Sequence, residues 1–166
     1  MVRCLTALHS FGKIVQDNRH RNKLVVDSSV AIKWFVVEPF TAEARLILNQ
    51  YKAGTLVLLA PDLINAEVGN VVWKKHTFQG LAKTDAQQII DSFLFLTFNL
   101  TPTASLLNES FRLAVQLNRT VYDALYLALS IRERCRFVTA DERLVNAVSP
   151  KYKNAIWIGN WPGSGK

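Results

Sequence analysis

Residues 24–30 read Leu-Val-Val-Asp-Ser-Ser-Val, and this stretch decides the fold class of the chain. Leu24-Val25-Val26 is a short apolar run, which predicts a buried strand because a strand covered on both faces is apolar throughout. The run stops at Asp27. The serines that follow predict the start of a helix with a serine as its N-cap. The stretch therefore begins an alternation of strand and helix.

The same alternation continues along the rest of the chain. Further strands are predicted at residues 56–59, 97–100, 136–139 and 155–158. Helices are predicted at residues 28–35, 41–53, 62–75, 84–95, 103–117, 121–134 and 141–148. Short apolar strands that alternate with helices are typical of an α/β domain with a parallel sheet.

The length and composition indicate one globular domain. The chain has 166 residues, of which 49% are hydrophobic and 20% are charged, so it can bury a core of ordinary size. We predict a domain over residues 23–158. We expect it to follow a basic extension over residues 1–22, interpreted as a flexible arm, and to precede a loose, glycine-rich tail over residues 159–166.

The net charge favours a polyanionic partner, although part of it is concentrated near the start of the chain. The formal charge is +7. Residues 1–23 contribute five basic residues against Asp17 alone. Cys4 and Cys135 do not form a disulfide framework or a zinc pattern, which favours two free thiols in a reducing compartment. No apolar run reaches the length of a membrane span, so we expect a cytoplasmic protein without membrane contact.

Two acidic residues stand where predicted strands end. Asp27 closes the first strand, and Asp141 lies just after the apolar residues Phe137 and Val138. In open α/β sheets, ligands bind outside the carboxyl ends of the strands. If these two strands are parallel neighbours, both acids face the same edge of the sheet.

Two further acids interrupt apolar helices. Glu67 lies between Ala66 and Val68, and Asp123 lies in the most apolar segment of the chain. A buried charge is costly unless it is paired or binds a cation. Carboxylates that converge on one pocket repel one another, and Mg²⁺ or Mn²⁺ would remove that repulsion because hard cations prefer oxygen ligands. Such a metal site suits phosphodiester hydrolysis.

Most of these acids also have a purely structural interpretation. Asp27 and Asp141 could each cap the helix that follows. Thr120-x-x-Asp123 matches a capping box, and Thr139-x-x-Glu142 could be another. Glu67 is the hardest to explain in this way, because an acid in the middle of an apolar helix face has no obvious structural role.

Four segments together resemble the motifs of PIN-domain nucleases, in the same order and with the same spacing. The resemblance covers about residues 23–158, and four motifs in order are far more specific than one. The chain is similar in particular to toxins of the VapC type, which are the nuclease half of toxin–antitoxin pairs. The segments are residues 24–30, residues 61–74, residues 122–129 and residues 137–144.

This resemblance implies a fold, a reaction and partners. The fold would be a three-layer α/β/α sandwich around a mostly parallel sheet. The activity would be hydrolysis of RNA by metal-activated water, and the partners would be RNA, a small antitoxin and a second copy of the chain. Asp27, Glu67, Asp123 and Asp141 would hold Mg²⁺ or Mn²⁺. The supporting positions would be Ser28, Asn70 and Thr139.

Other functions remain open at this point. A PIN-type nuclease for RNA processing would need no antitoxin, and a binding module could keep the acidic pocket without turnover. A phosphoacceptor domain also places an acid at a strand end. It would need a lysine at a strand end, whereas Lys33 falls within a predicted helix. The sequence has no histidine–cysteine metal spacing and no glycine-rich phosphate loop.

Overall fold

The computed structural model describes residues 22–162, and within that range strands and helices alternate throughout. The strands are β1 (Asn22–Val26), β2 (Leu56–Pro61), β3 (Asn99–Thr101), β4 (Arg136–Thr139) and β5 (Ala155–Trp157). The α-helices are α1 (Ser28–Ala31), α2 (Thr41–Lys52), α3 (Ile64–Gln79), α4 (Lys83–Leu94), α5 (Thr103–Leu117), α6 (Val121–Arg132) and α7 (Glu142–Val148). Two short 3₁₀ helices span Ile32–Trp34 and Ile158–Asn160.

The five strands form one parallel sheet in the order β3-β2-β1-β4-β5. From β1 the chain moves outward to β3, and it then crosses back to add β4 and β5 on the other side. Because parallel crossovers are right-handed, this change of direction places helices on both faces of the sheet. Helix α6 packs against β1, β2 and β4. The predicted three-layer α/β/α sandwich is confirmed.

The first helix differs from its predicted form. Helix α1 has only four residues and continues into the 3₁₀ helix Ile32–Trp34. The N-cap is Asp27, whose side chain accepts a hydrogen bond from the backbone N–H of Ser29. The predicted serine cap is therefore wrong: the carboxylate at the end of the strand takes the capping position, and both serines lie at or inside the first turn.

The first residues of the predicted loose tail, 159–161, are packed against the rest of the fold. Gly159 and Trp161 are buried, and the guanidinium group of Arg136 lies 4.9 Å from the centre of the Trp161 ring. Residues 159–161 thus belong to the packed structure, because the indole covers apolar surface beside β4. The rest of the predicted tail beyond Pro162 lies outside the described residues. So does the predicted N-terminal extension, apart from Asn22.

The central strands β1 and β4 lie in the middle of the hydrophobic core. Leu24, Val25 and Val26 are fully buried, as are Phe137 and Val138 on the neighbouring strand. Burial on both faces explains why these strands are continuously apolar. Within residues 22–162, no helix combines the length and the apolar character needed to cross a membrane.

Candidate active site

The carboxyl ends of β1 and β4 define the position of the site. These strands are neighbours, and the segments that follow them leave toward opposite faces of the sheet. Such a topological switch point opens a crevice at the carboxyl ends of the strands, where ligands bind in open α/β folds. Asp27 follows β1 at this edge, and Thr139 is the last residue of β4.

Hydrogen bonds hold the carboxylate of Asp27 in a fixed orientation. One oxygen accepts the bond from the backbone of Ser29, and Oδ2 accepts a bond of 2.6 Å from the hydroxyl of Thr139. The same hydroxyl accepts a bond of 3.0 Å from the backbone N–H of Asp141. The hydroxyl of Ser29 accepts a bond of 2.9 Å from the backbone of Ala140. The two strand ends are therefore tied together around Asp27.

Glu67 enters the same crevice from α3. It lies in the first turn of that helix, where a negative charge is favoured by the helix dipole. Its Oε2 accepts a bond of 2.5 Å from the hydroxyl of Tyr126 on α6. Tyr126 is 3% exposed, and its ring stacks on Phe137 of β4 with 5.9 Å between ring centres. Glu67 thus lies in the first turn rather than the middle of its helix, and a buried tyrosine holds in place the acid for which the sequence showed no obvious structural role.

Asp123 approaches from the start of α6. The hydroxyl of Thr120 caps this helix by accepting a bond of 3.1 Å from the backbone N–H of Asp123. The cap fixes the first turn, and Asp123 is partly buried there. Its negative charge contributes to the raised pKa values of both Asp27 and Glu67. The structure therefore brings Asp27, Glu67 and Asp123 into one electrostatically coupled group.

Burial and neighbouring charges raise the pKa values of Asp27 and Glu67. Burial raises the pKa of Asp27 above its ordinary value, and the charge of Asp123 adds to the effect, although hydrogen bonds from Ser29 and Thr139 oppose it. Burial and the charges of Asp27 and Asp123 likewise raise the pKa of Glu67, against hydrogen bonds from Tyr126 and Ser28. Burial and the nearby carboxylates also raise the pKa of Tyr126, so its hydroxyl keeps the proton that it donates.

Asp141 has a different role in the structure. It is exposed, and its Oδ1 caps α7 by accepting a bond of 3.0 Å from the backbone N–H of Leu144. Among residues 22–162, no recorded contact links its carboxylate to the other three acids. Its backbone is nevertheless connected to Asp27 through Thr139. The proposed Thr139–Glu142 capping box does not form, because Asp141 itself is the N-cap.

The three predicted supporting residues differ in how directly they contact the acids. Thr139 is buried and contacts Asp27 directly. Ser28 lies in the first turn of α1, and a hydrogen bond from its side chain acts to lower the pKa of Glu67. Asn70 is exposed and lies three residues after Glu67, on a neighbouring face of α3.

The chemistry of the three coupled acids fits a hard divalent cation. Their oxygens are the ligands that Mg²⁺ and Mn²⁺ prefer, and a cation would offset both the burial and the mutual repulsion that raise the pKa values of Asp27 and Glu67. Across residues 22–162, however, no three acidic, histidine or cysteine side chains are already arranged as a ligand set.

Comparison with known proteins identifies the family. A family model described as PIN domain matches residues 24–148, which include all four candidate acids. The chain belongs to the PIN-domain family. The predicted resemblance to this family is confirmed.

Two curated relatives of this PIN domain are named as ribonucleases. Ribonuclease VapC3 of Pyrobaculum aerophilum is 32% identical over 125 residues, which are 74% of this chain and 92% of that protein. Ribonuclease VapC1 of Mycobacterium tuberculosis is 32% identical over 88 residues, which are 53% of this chain and 65% of that protein. The first of these similarities extends over nearly the whole relative.

Two solved structures share the fold. The crystal structure of PAE2754 from Pyrobaculum aerophilum has a TM-score of 0.60 at 24% identity, covering 84% of this chain and 92% of that one. VapBC2 of Rickettsia felis, solved with a DNA fragment from its promoter, has a TM-score of 0.54 at 15% identity. That match covers 81% of this PIN domain and 96% of the solved chain. At these identities the structures support the fold alone.

Two residues of the site, Tyr126 and Ser29, are not among the site residues predicted from the sequence. Tyr126 did carry a signal, because a tyrosine in a fully apolar helical segment needs a hydrogen-bond partner for its hydroxyl once it is buried. It also lies three residues after Asp123, on an adjacent part of α6. Ser29 was considered only as a helix start, and its contact with the backbone of Ala140 depends on the packing of β1 beside β4.

Proposed function

We propose that this chain is a metal-dependent endoribonuclease and the toxin of a VapBC-type toxin–antitoxin pair. The observation that carries the proposal is the convergence of Asp27, Glu67 and Asp123 on one crevice, from three different elements. The names of the curated relatives support ribonuclease activity as the form of this chemistry. Asp141 completes the set of four proposed site residues at the same edge of the sheet.

Some of these residues would bind the metal, and others would orient the residues that bind it. Asp27, Glu67 and Asp123 would hold Mg²⁺ or Mn²⁺, with Asp141 completing the outer part of the site. The bound cation would supply charge neutralisation and Lewis acidity toward a phosphodiester. Thr139 and Ser29 keep the carboxylate of Asp27 oriented, and Tyr126 does the same for Glu67. Ser28 and Asn70 are proposed to support the site from beside Glu67.

The toxin assignment rests on the similarity to VapC proteins. Both curated relatives are VapC ribonucleases, and VapBC2 of Rickettsia felis shares the fold of this chain. We therefore propose a small antitoxin as the protein partner. A PIN-type nuclease that processes RNA without an antitoxin remains the alternative. A small open reading frame next to the gene, whose product copurifies with this chain and blocks cleavage, would favour the toxin.

Cleavage of labelled RNA in the presence of Mg²⁺ or Mn²⁺ tests the proposal. We expect cleavage by the wild-type chain, loss of cleavage with EDTA, and a decrease of at least about 100-fold in Asp27→Asn and Asp123→Asn. Asp91→Asn is the matched control, because Asp91 is an exposed acid on α4 outside the crevice. Equal cleavage by all four proteins would refute the site, and no cleavage by any of them across several RNA pools would refute the activity.

A further inference from the structure

A concentration of positive charge lies at the edge of the sheet opposite to the acids. The neighbouring strands β1, β4 and β5 are parallel, so all three start at this edge. We call its exposed basic side chains the basic edge. They belong to the starts of β1 and β4, the end of α6 and the loop before β5, and they are Lys23, Arg132, Arg134, Arg136, Lys151 and Lys153.

Few negative charges offset the basic edge. Glu133 lies among these residues, and its carboxylate is paired with Lys23 at 2.8 Å. Among residues 22–162, neither Arg134 nor Arg136 has a carboxylate partner. Like charges gathered in this way produce a positive potential that attracts polyanions. The guanidinium groups of Arg134 and Arg136 are therefore available to bind an anion.

The two unpaired arginines border an open cavity of about 400 Å³. The amide of Asn154 stiffens its wall by donating bonds of 2.8 Å to the hydroxyl of Ser130 and 3.1 Å to the carbonyl of Cys135. Arg136 is held over the Trp161 ring, which leaves the edge of its guanidinium group available for hydrogen bonds. Arg134 occupies a left-handed backbone position with φ of 51° in the turn before β4. Both groups are thus placed by the fold.

We propose that the basic edge binds the phosphate backbone of RNA away from the acidic crevice. Guanidinium groups match phosphate oxygens in geometry as well as charge, and the cavity presents two of them together. The identification of the polyanion as RNA rests on the proposed function. An anionic membrane is less favoured, because none of the large exposed apolar side chains of residues 22–162 borders the cavity. Substrate RNA would then contact two opposite edges of the sheet.

Binding of RNA to a protein that cannot cleave it tests this proposal. In an Asp27→Asn background, fluorescence anisotropy would measure the Kd for a labelled single-stranded RNA of about 30 nucleotides at several salt concentrations. We expect Arg134→Gln/Arg136→Gln to raise the Kd by about 10-fold and to lower the slope of log Kd against log salt by about 1 to 2. Arg45→Gln/Lys83→Gln is the matched control, since both residues are exposed cations on α2 and α4.

Cleavage assays separate this inference from the proposed function. With intact Asp27, Arg134→Gln/Arg136→Gln should raise KM for the long RNA and leave cleavage of a very short oligonucleotide unchanged. If the wild-type chain cleaves no RNA but the arginine variant still loses RNA binding, the basic edge is supported and the proposed activity is refuted. If the wild-type chain cleaves RNA and the arginine variant binds it as tightly as the control, the basic edge is refuted. Binding to phosphatidylserine vesicles that depends on the arginines, with RNA binding unchanged, would refute it as well.

Discussion

The hydroxyl of Tyr126 donates a hydrogen bond to Glu67 and so positions this carboxylate in the acidic crevice. Tyr126→Phe removes only the hydroxyl and keeps the ring stacked on Phe137. We expect the affinity for Mn²⁺ and the value of kcat/KM to fall by about 10- to 100-fold, because groups that orient metal ligands have effects of this size. A binding titration with Mn²⁺ measures the affinity, and RNA cleavage at a series of Mn²⁺ concentrations measures kcat/KM.

Tyr122→Phe provides the control for this prediction. It makes the same chemical change on the same helix, but Tyr122 is 63% exposed. Thermal unfolding in EDTA should show both variants folded. Unchanged Mn²⁺ affinity in Tyr126→Phe would mean that the hydroxyl serves packing alone and does not position Glu67.

At the scale of single elements, the start of α6 depends on one cap. Thr120 accepts the bond from the backbone of Asp123 that fixes the first helical turn. Thr120→Ala should lower the free energy of unfolding by about 1 kcal/mol, as loss of an N-cap usually does. It should also lower cleavage, because Asp123 would be less well fixed. Urea denaturation measures the first effect. Thr120→Ser keeps the hydroxyl, so a Ser variant as unstable as the Ala variant would contradict the capping explanation.

A second element-scale contact joins the segment after α1 to α3. Glu38 accepts bonds of 3.0 Å from Lys33 and 2.5 Å from Lys75, and Lys33 is almost fully buried. Burial acts against the charged form of Glu38, but the bonds from Lys75 and Lys33 outweigh it and hold its pKa below the ordinary value of 4.5. The fold therefore binds the ionised carboxylate more favourably than the unfolded chain does.

The sign of this pKa shift predicts how stability depends on pH. A depressed carboxyl pKa stabilises the fold above about pH 4.5, and this contribution is lost as the pH falls further through the folded-state pKa. Glu38→Gln should unfold more easily at neutral pH, by on the order of 2 kcal/mol, because Lys33 loses its partner. It should also lose less further stability than the wild type between about pH 5 and pH 3. Urea denaturation at both pH values checks this, and parallel losses in the two proteins would refute it.

Individual elements show which parts of the fold and the site can be predicted from the sequence. The α/β alternation was predictable because apolar strands and helical segments differ in length and pattern, and helix α5 and strand β4 have the predicted bounds. The position of Asp27 at a strand end was predictable for the same reason. The partner of Glu67 was not, because Tyr126 lies 59 residues away and meets it only in the folded chain. The burial of Trp161 is likewise a tertiary feature, since its ring joins the hydrophobic core beside Arg136.

At the scale of the whole molecule, the charges are arranged in two opposite groups. The coupled acids lie at the carboxyl ends of the strands, and the basic edge lies where β1, β4 and β5 begin. The net charge therefore says little about the crevice itself, which is negative in a chain of formal charge +7. This separation favours a long anionic substrate over a small one, since only a long substrate can reach both groups.

The remaining apolar surface leads to a prediction about assembly. Helix α5 buries Leu106 and Leu113 against the core, while Leu107, Phe111 and Val115 form a second apolar stripe that is 50–68% exposed. Their spacing of four residues places them along one side of the helix. Apolar stripes of this kind commonly mark protein interfaces. We propose that a second copy of the chain covers this stripe, in agreement with the homodimer expected from the resemblance to VapC-type toxins.

Size-exclusion chromatography with light scattering tests the dimer. The wild-type chain should have about twice the monomer mass of 18.7 kDa, and Phe111→Lys should shift the population to the monomer because a buried lysine at the interface would lack a partner. Leu94→Lys is the control, since Leu94 is similarly exposed but lies on α4. A monomeric wild type, or a Phe111→Lys variant that remains as dimeric as Leu94→Lys, would show that the α5 stripe is not a self-association face. The α5 stripe would then be available to a different partner, and the proposed antitoxin is the first candidate. Copurification of the antitoxin with Phe111→Lys and with Leu94→Lys would test it.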